Sequence, residues 1–288
     1  MKKRWLISIL MILFLLCSCN NANNEKSYGE LFYNPYMQKL IVYNQNLKKI
    51  SLFDNTSNQF QFYINGSDDL FIDGNSISNV SRIIQLHQSQ VTELYKFDKS
   101  NGIFPIGVIE EKLYFIHSFY DLNGQEEIGK RCISIFNMKT SEIQNYTQTS
   151  GLISYGCVND ENVVYSVYDN DQNSYSLMSV KSNDINATPE LICEKINDGI
   201  ILMEGNELFY SDGQFLISDK DNYEIKSENL IYQKLLIQFY ISSDGLLCIK
   251  VTNMETKEVF DEKDICGIRF DQGKLLICGQ TGVITYEQ

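Results

Sequence analysis

Ile133-Ser-Ile-Phe-Asn-Met-Lys-Thr-Ser-Glu-Ile143 carries the pattern from which the rest of the chain can be read. An alternating apolar run at Ile133 and Ile135, closed by Phe136, meets a polar turn from Asn137 to Ser141, and a second run opens at Ile143. Leu247 to Val259 repeats the arrangement, with Asn-Met-x-Thr-x-Glu in the same register. Weaker copies run from Ile50 to Gln59 and from Leu94 to Asn101. Each predicts a β-hairpin, two period-two strands around a loop of Asn, Asp, Ser, Thr and Lys.

A Phe-Asp or Phe-Asn mark closes these strands at Phe53-Asp54, Phe97-Asp98 and Phe136-Asn137, with poorer copies at Val180-Lys181, Ser218-Asp219 and Thr252-Asn253. Five intervals separate Phe53 from Thr252, about 40 residues each. Further strands are predicted upstream of most marks: Lys39–Tyr43, Lys112–Phe115, Asn162–Tyr165, Glu207–Tyr210 and Lys274–Ile277. Asp73-Gly74, Asn123-Gly124, Asp198-Gly199, Asp212-Gly213 and Asp244-Gly245 read as tight turns, because such pairs supply the positive φ that two-residue turns need. Short strands repeating at this period predict an all-β fold, a single β-propeller of about seven blades. Six blades is the alternative, because the marks crowd between Val180 and Thr252. A sandwich or β-solenoid competes, and the 40-residue recurrence favours the propeller. A strand around Glu30 to Tyr33 is expected to close the ring beside the last strands, ending with Gly282–Glu287.

Composition agrees with strands: 18 Tyr and 16 Phe accompany recurrent Ile, Val and Thr, while only three prolines occur. The N-terminus differs from everything after it. Lys2, Lys3 and Arg4 precede an apolar segment from Trp5 to Leu16, then Leu16-Cys-Ser-Cys19. A charged region, a short apolar helix and a small residue form a secretory signal, and the apolar run is well short of the roughly 18 residues that span a bilayer. Leu16 to Cys19 resembles the lipobox of bacterial lipoproteins, which implies that Cys19 is the lipidated residue. Cys17 is an unusual occupant of its position in that motif. The organisation read from this is a signal peptide over 1–18, a polar tether over 19–28, and one propeller domain over 29–288. Removing residues 1–18 takes three positive charges and no negative ones from the formal −13, leaving −16. Such a surface repels phosphate backbones, which argues against nucleic acid as a partner.

The phrase strand-Phe-Asn-x-Lys-Thr-x-Glu-strand resembles the outer hairpin of WD40-like, TolB-like and quinoprotein-like propeller repeats, and the pattern extends over residues 30–288. The only tryptophan is Trp5, within the signal. The Trp-Asp pair of WD40 repeats and the tryptophan docking motif of quinoprotein propellers are therefore missing, and no family's active-site residues carry over.

Little in the chain points to catalysis. His87 falls in a turn-like Leu86–Gln90 segment, His117 follows the strand Leu113–Ile116, and both read as surface or loop-packing histidines. No Gly-x-Ser-x-Gly elbow occurs. The six domain cysteines (Cys132, Cys157, Cys193, Cys248, Cys266, Cys278) lack Cys-x-x-Cys spacing; export and an even number permit disulfides, while five apolar flanks favour packing as small hydrophobes. Asp169-Asn-Asp171-Gln-Asn173 starts like a calcium loop, but Ser174 and Val180 stand where glycine and glutamate are needed, so it reads as a hydrophilic hairpin loop. No metal or cofactor is implied.

The longest hairpin loop, Ser118 to Lys130, contains Phe119, Tyr120, Asp121 and Asn123. Loops between second and third strands gather on one propeller face, so this loop and Asp169, Asp171 and Asn173 are candidate ligand-binding positions. The resulting expectation is a non-enzymatic, lipid-anchored, extracytoplasmic protein that binds a protein, peptide or envelope ligand. Alternatives are an envelope glycan lyase or hydrolase with carboxylates at the axis, or a structural subunit of an envelope assembly.

Overall fold

The computed structural model describes residues 30–36, 39–43, 50–51, 62–63, 69–73, 81–87, 90–98, 101–127, 130–148, 152–184 and 186–287. The signal, Cys19, the tether and most of the Ile50–Gln59 hairpin lie outside the described residues. Among the described residues every regular element is a strand. β1 (Glu30–Asn34), β2 (Lys39–Tyr43) and β3 (Ile50–Ser51) open the chain. Five four-stranded sheets follow in sequence. The first is β4 (Phe62–Tyr63), β5 (Asp69–Asp73), β6 (Arg82–His87) and β7 (Gln90–Lys96). The second is β8 (Asn101–Ile109), β9 (Lys112–Phe119), β10 (Cys132–Asn137) and β11 (Glu142–Gln148). The third is β12 (Leu152–Val158), β13 (Asn162–Asp169), β14 (Ser174–Lys181) and β15 (Glu190–Ile196). The fourth is β16 (Ile201–Glu204), β17 (Glu207–Ser211), β18 (Phe215–Ile217) and β19 (Asn222–Glu224). The fifth is β20 (Glu228–Tyr232), β21 (Leu235–Ile241), β22 (Leu247–Asn253) and β23 (Val259–Lys263). β24 (Gly267–Asp271), β25 (Lys274–Cys278) and β26 (Val283–Tyr286) end the chain.

Each sheet is an antiparallel meander whose first strand lies innermost: β8 packs against β12, β12 against β16, and β16 against β20. That is a β-propeller. The count of four-stranded blades is five, against the seven or six expected from the repeat interval. The difference lies at the ends, where β26-β25-β24-β1-β2-β3 form one six-stranded sheet. There the innermost strands β1 and β24 meet at a single pair, Tyr33–Ile268. Gly267 permits the approach, because a Cβ at that position would stand 2.7 Å from the Tyr33 carbonyl oxygen. The Asn34 side chain donates to the Cys266 carbonyl at 2.7 Å, satisfying a buried acceptor at the seam. The N-terminal strand thus closes the sheet formed by the last three.

The sequence reading of the second strands holds in detail, since the predicted runs begin β2, β9, β13, β17 and β25. The Leu94–Asn101 hairpin does not exist. β7 pairs with β6 in a register that starts at His87–Gln90, and β8 belongs to the next blade. Phe97, between β7 and β8 in sequence, is buried and packs with Phe115 and Phe136 instead of closing a third strand. His117 is also corrected. It lies inside β9, 5% exposed, because β9 runs three residues beyond Ile116. Apolar side chains from facing blades supply the core: Phe104, Tyr114, Ile133, Ile153 and Tyr165 fill one interface, and Tyr232, Phe239, Ile249 and Phe270 another. All six described cysteines are free, and all but Cys193 are buried.

Candidate functional site

The end of the ring where the innermost strands begin brings together residues from three consecutive blades. A register shift in β12 between Ile153 and Tyr155 leaves Tyr155 40% exposed, while its backbone N–H donates to the Ser166 hydroxyl at 3.1 Å. The next blade is entered through Asp198-Gly199. This pair is not the tight turn that its composition predicts but a crossing between β15 and β16. Glycine is needed here for space: a Cβ at position 199 would lie 2.6 Å from the Tyr175 ring and 3.0 Å from the Ser166 hydroxyl. The Asp198 carboxylate accepts from the Ile200 N–H at 3.2 Å and from the buried Ser211 hydroxyl at 2.7 Å, which fixes it at the head of β16. Tyr175 packs against Tyr168 with ring centroids 4.9 Å apart, and the Tyr168 hydroxyl donates to Asn173 at 2.5 Å. Glu228 begins β20, exposed on the same end.

Electrostatics tie these groups together. Crowding by the surrounding protein raises the Tyr155 phenol, and the nearby carboxylates of Asp198 and Glu228 raise it further. The Tyr175 phenol is raised by burial first and by Asp198 second. Tyr33, fully buried on β1, is held well above its usual range by burial and then by Glu228. The Glu228 carboxyl is raised by desolvation alone. Tyr155 and Glu228 keep open surface at this end of the ring, called the mouth below, with protein close enough around each to raise its titration. Among the described residues no Lys, Arg or His forms an ion pair with Asp198 or Glu228.

A second polar cluster sits inside the β8–β11 blade. His117 Nε2 meets the Asn101 side-chain oxygen at 2.9 Å, and the Ser134 hydroxyl lies 3.2 Å from His117 Nδ1 and 3.0 Å from the Asn145 side-chain oxygen, so its one proton serves either of them. One side chain from each of the four strands completes this chain. Burial lowers the His117 pKa from 6.5 to about 4, so the ring is neutral at physiological pH.

The loop residues singled out in the sequence form turns. Asp121 accepts the backbone N–H groups of Asn123 and Gln125, each at 2.8 Å, and this holds its carboxyl below the usual range. The Asn123 side chain donates back to Asp121 at 3.3 Å. Phe119 stacks on His117 with centroids 4.2 Å apart, and Tyr120 forms a bridge with Glu126. Arg131 anchors the loop by pairing with Glu126, donating to the Ile153 carbonyl at 2.6 Å and lying over Phe104. Asp169 accepts the N–H groups of Asp171 and Gln172, and Asn173 adopts φ 49° to close the β13–β14 turn. Both loops join second and third strands of neighbouring blades, but no hydrogen bond or ion pair among the described residues links them. Asn173 alone reaches the mouth, through Tyr168. Among the described residues no group of three or more His, Cys, Asp or Glu is arranged to hold a metal ion. Tyr155, Tyr175, Asp198 and Glu228 were missed by sequence reasoning.

No protein-family model matches the chain, and no curated protein does. Solved structures do. The chain is similar to an acylaminoacyl peptidase from Pyrococcus horikoshii, at 12% identity and TM-score 0.53, over 86% of this chain and 46% of that one. It therefore spans less than half of that enzyme's length. It is also similar to a chain of a nidogen/laminin complex, at 9% identity and TM-score 0.51 over 81% of this chain and 91% of the other. An uncharacterised protein from Listeria monocytogenes matches at 12% identity and TM-score 0.50, over 91% and 95% of the two chains. The resemblance is one of fold.

Proposed function

We propose that this protein is a lipid-anchored, extracytoplasmic binding protein that recognises a protein, peptide or envelope ligand at the face where its innermost strands begin. The observation that carries this reading is the mouth itself. An exposed tyrosine and Glu228 stand on strands and Asp198 on the crossing that enters β16, held by hydrogen bonds and a glycine, with no ion pair to either carboxylate among the described residues. Propellers present such faces to partners, and strand-mounted groups need little ordering on binding. The anchoring half rests on the N-terminal pattern ending at Cys19. We also infer seven blades, with β1–β3 and β24–β26 as two three-stranded blades joined at Tyr33–Ile268.

A second reading, an envelope glycan lyase or hydrolase, draws support from the raised Glu228 carboxyl, because a general acid needs such a shift and Asp198 could serve as its partner. Binding is preferred, since Asp198 is committed to Ser211 and Ile200. The test is chemical crosslinking of the intact protein in its own membranes, with Cys19→Ala as a mislocalised control. Recovery of one envelope partner that depends on Cys19 is the expected result. A membrane-bound protein that captures nothing above the control, and that depolymerises envelope glycan in a Glu228-dependent manner, would overturn the binding reading in favour of the enzyme.

A further inference from the structure

The mouth has a chemical preference, and stating it rests on the binding reading above. Three features converge on the head of the ring. Tyr155 exposes 40% of its surface between β8 and β16, the strands that flank β12. Tyr175 and Tyr168 stand behind it as a tilted aromatic pair, pressed against the Gly199 crossing. The Asp198 and Glu228 carboxylates follow from the next two blades, and among the described residues neither forms an ion pair. A neutral sugar would leave these charges uncompensated in a partly dehydrated site, and an anion would be repelled. A cation over a tyrosine face, flanked by carboxylates, gains from both the ring quadrupole and the charges, and gains more where water is thinned out.

We propose that the mouth formed by Tyr155, Tyr175, Asp198 and Glu228 binds a cationic side chain, Lys or Arg, of a peptide segment. The surface as a whole points the same way: the formal charge of −13 steers basic segments toward the protein. Lys130, Arg131 and Lys226 pair with Glu127, Glu126 and Glu224, so these three cations do not compete for the mouth. A peptide is favoured over a small amine because Tyr155, Asp198 and Glu228 come from three consecutive blades, a span suited to an extended segment crossing the mouth.

The probe is a fluorescein-labelled hexalysine peptide, titrated into the intact protein at low and at physiological salt, with its Nε-acetylated counterpart as the uncharged control. The expected result is binding by hexalysine alone, weakened about tenfold by Glu228→Gln and by Tyr155→Ala, and unchanged by Tyr155→Phe, which keeps the ring. Glu258→Gln, at the far end of the β22–β23 hairpin, should have no effect. Equal losses from Glu228→Gln and Glu258→Gln would overturn the proposal, since binding would then follow net charge. Full affinity in both Glu228→Gln and Tyr155→Ala would also overturn it. Thermal melts of each variant show that it is folded. If the membrane crosslinks of the preceding section persist in Glu228→Gln, the protein binds its partner elsewhere, and the cationic subsite fails while the binding reading stands.

Discussion

His117 is buried and Glu228 is exposed, and the protein treats the two in opposite ways. His117 is enclosed within one blade, and each ring nitrogen has a partner supplied by another strand of that blade. Glu228 lies where blades meet, its carboxyl raised by desolvation with no cation to compensate. Satisfied polar groups inside a blade specify the pairing of its strands, because leaving any one of them unpaired is costly. An exposed carboxylate with no ion-pair partner among the described residues contributes nothing of that kind to the fold, and it is open to a ligand. The contrast separates groups that build the propeller from groups available to recognise something.

The contrast breaks most sharply at His117. Replacing it with Ala removes a buried ring and its hydrogen bonds to Asn101 and Ser134, so it is expected to cost about 3 kcal/mol, read as a fall in the denaturant midpoint. A midpoint within error of wild type would show that the polar chain is incidental. The acid limb tests the same residue. The unfolded chain takes up a proton at the ordinary 6.5, the folded chain only at about 4. Stability present above pH 6.5 is therefore lost as pH falls through that window, by up to about 3 kcal/mol. Replacing His117 with Gln should flatten this part of the pH profile. Glu228 works the other way, because its raised carboxyl favours the folded state below its ordinary 4.5 and loses that contribution as pH rises through the shifted value.

A smaller effect is expected where β8 passes β9. The Ser118 hydroxyl is buried without a hydrogen-bond partner, and a Cβ at Gly102 would collide with it. Gly102→Ala is expected to cost about 2 kcal/mol by overpacking. Ser118→Ala should be neutral or slightly stabilising, and adding it to Gly102→Ala should recover most of the loss. Additive costs in the double variant would mean that the two residues do not share this space.

Strand order was legible because the β-hairpin pattern is local. The runs at Lys112, Asn162, Glu207 and Lys274 alternate or cluster their apolar residues in the way a half-buried strand must, and each begins a second strand. Phe97-Asp98 misled because a buried aromatic before a polar residue also occurs where the chain leaves one blade for the next. The mouth was hidden for a related reason. Tyr155, Asp198 and Glu228 come from three different repeats, and only the closed ring makes them neighbours. The loop aspartates drew attention as exposed carboxylates, yet Asp121 and Asp169 spend their lone pairs on their own turns, a local bond that sequence alone does not distinguish from a binding site.

Glu228→Gln, followed by thermal melting and hexalysine titration on one preparation, tests the central distinction most directly. The account predicts a melting temperature equal to or slightly above wild type, because a desolvated charge is removed, together with a roughly tenfold loss of affinity. A lowered melting temperature with affinity retained would contradict it, placing Glu228 with His117 among the groups that hold the propeller together.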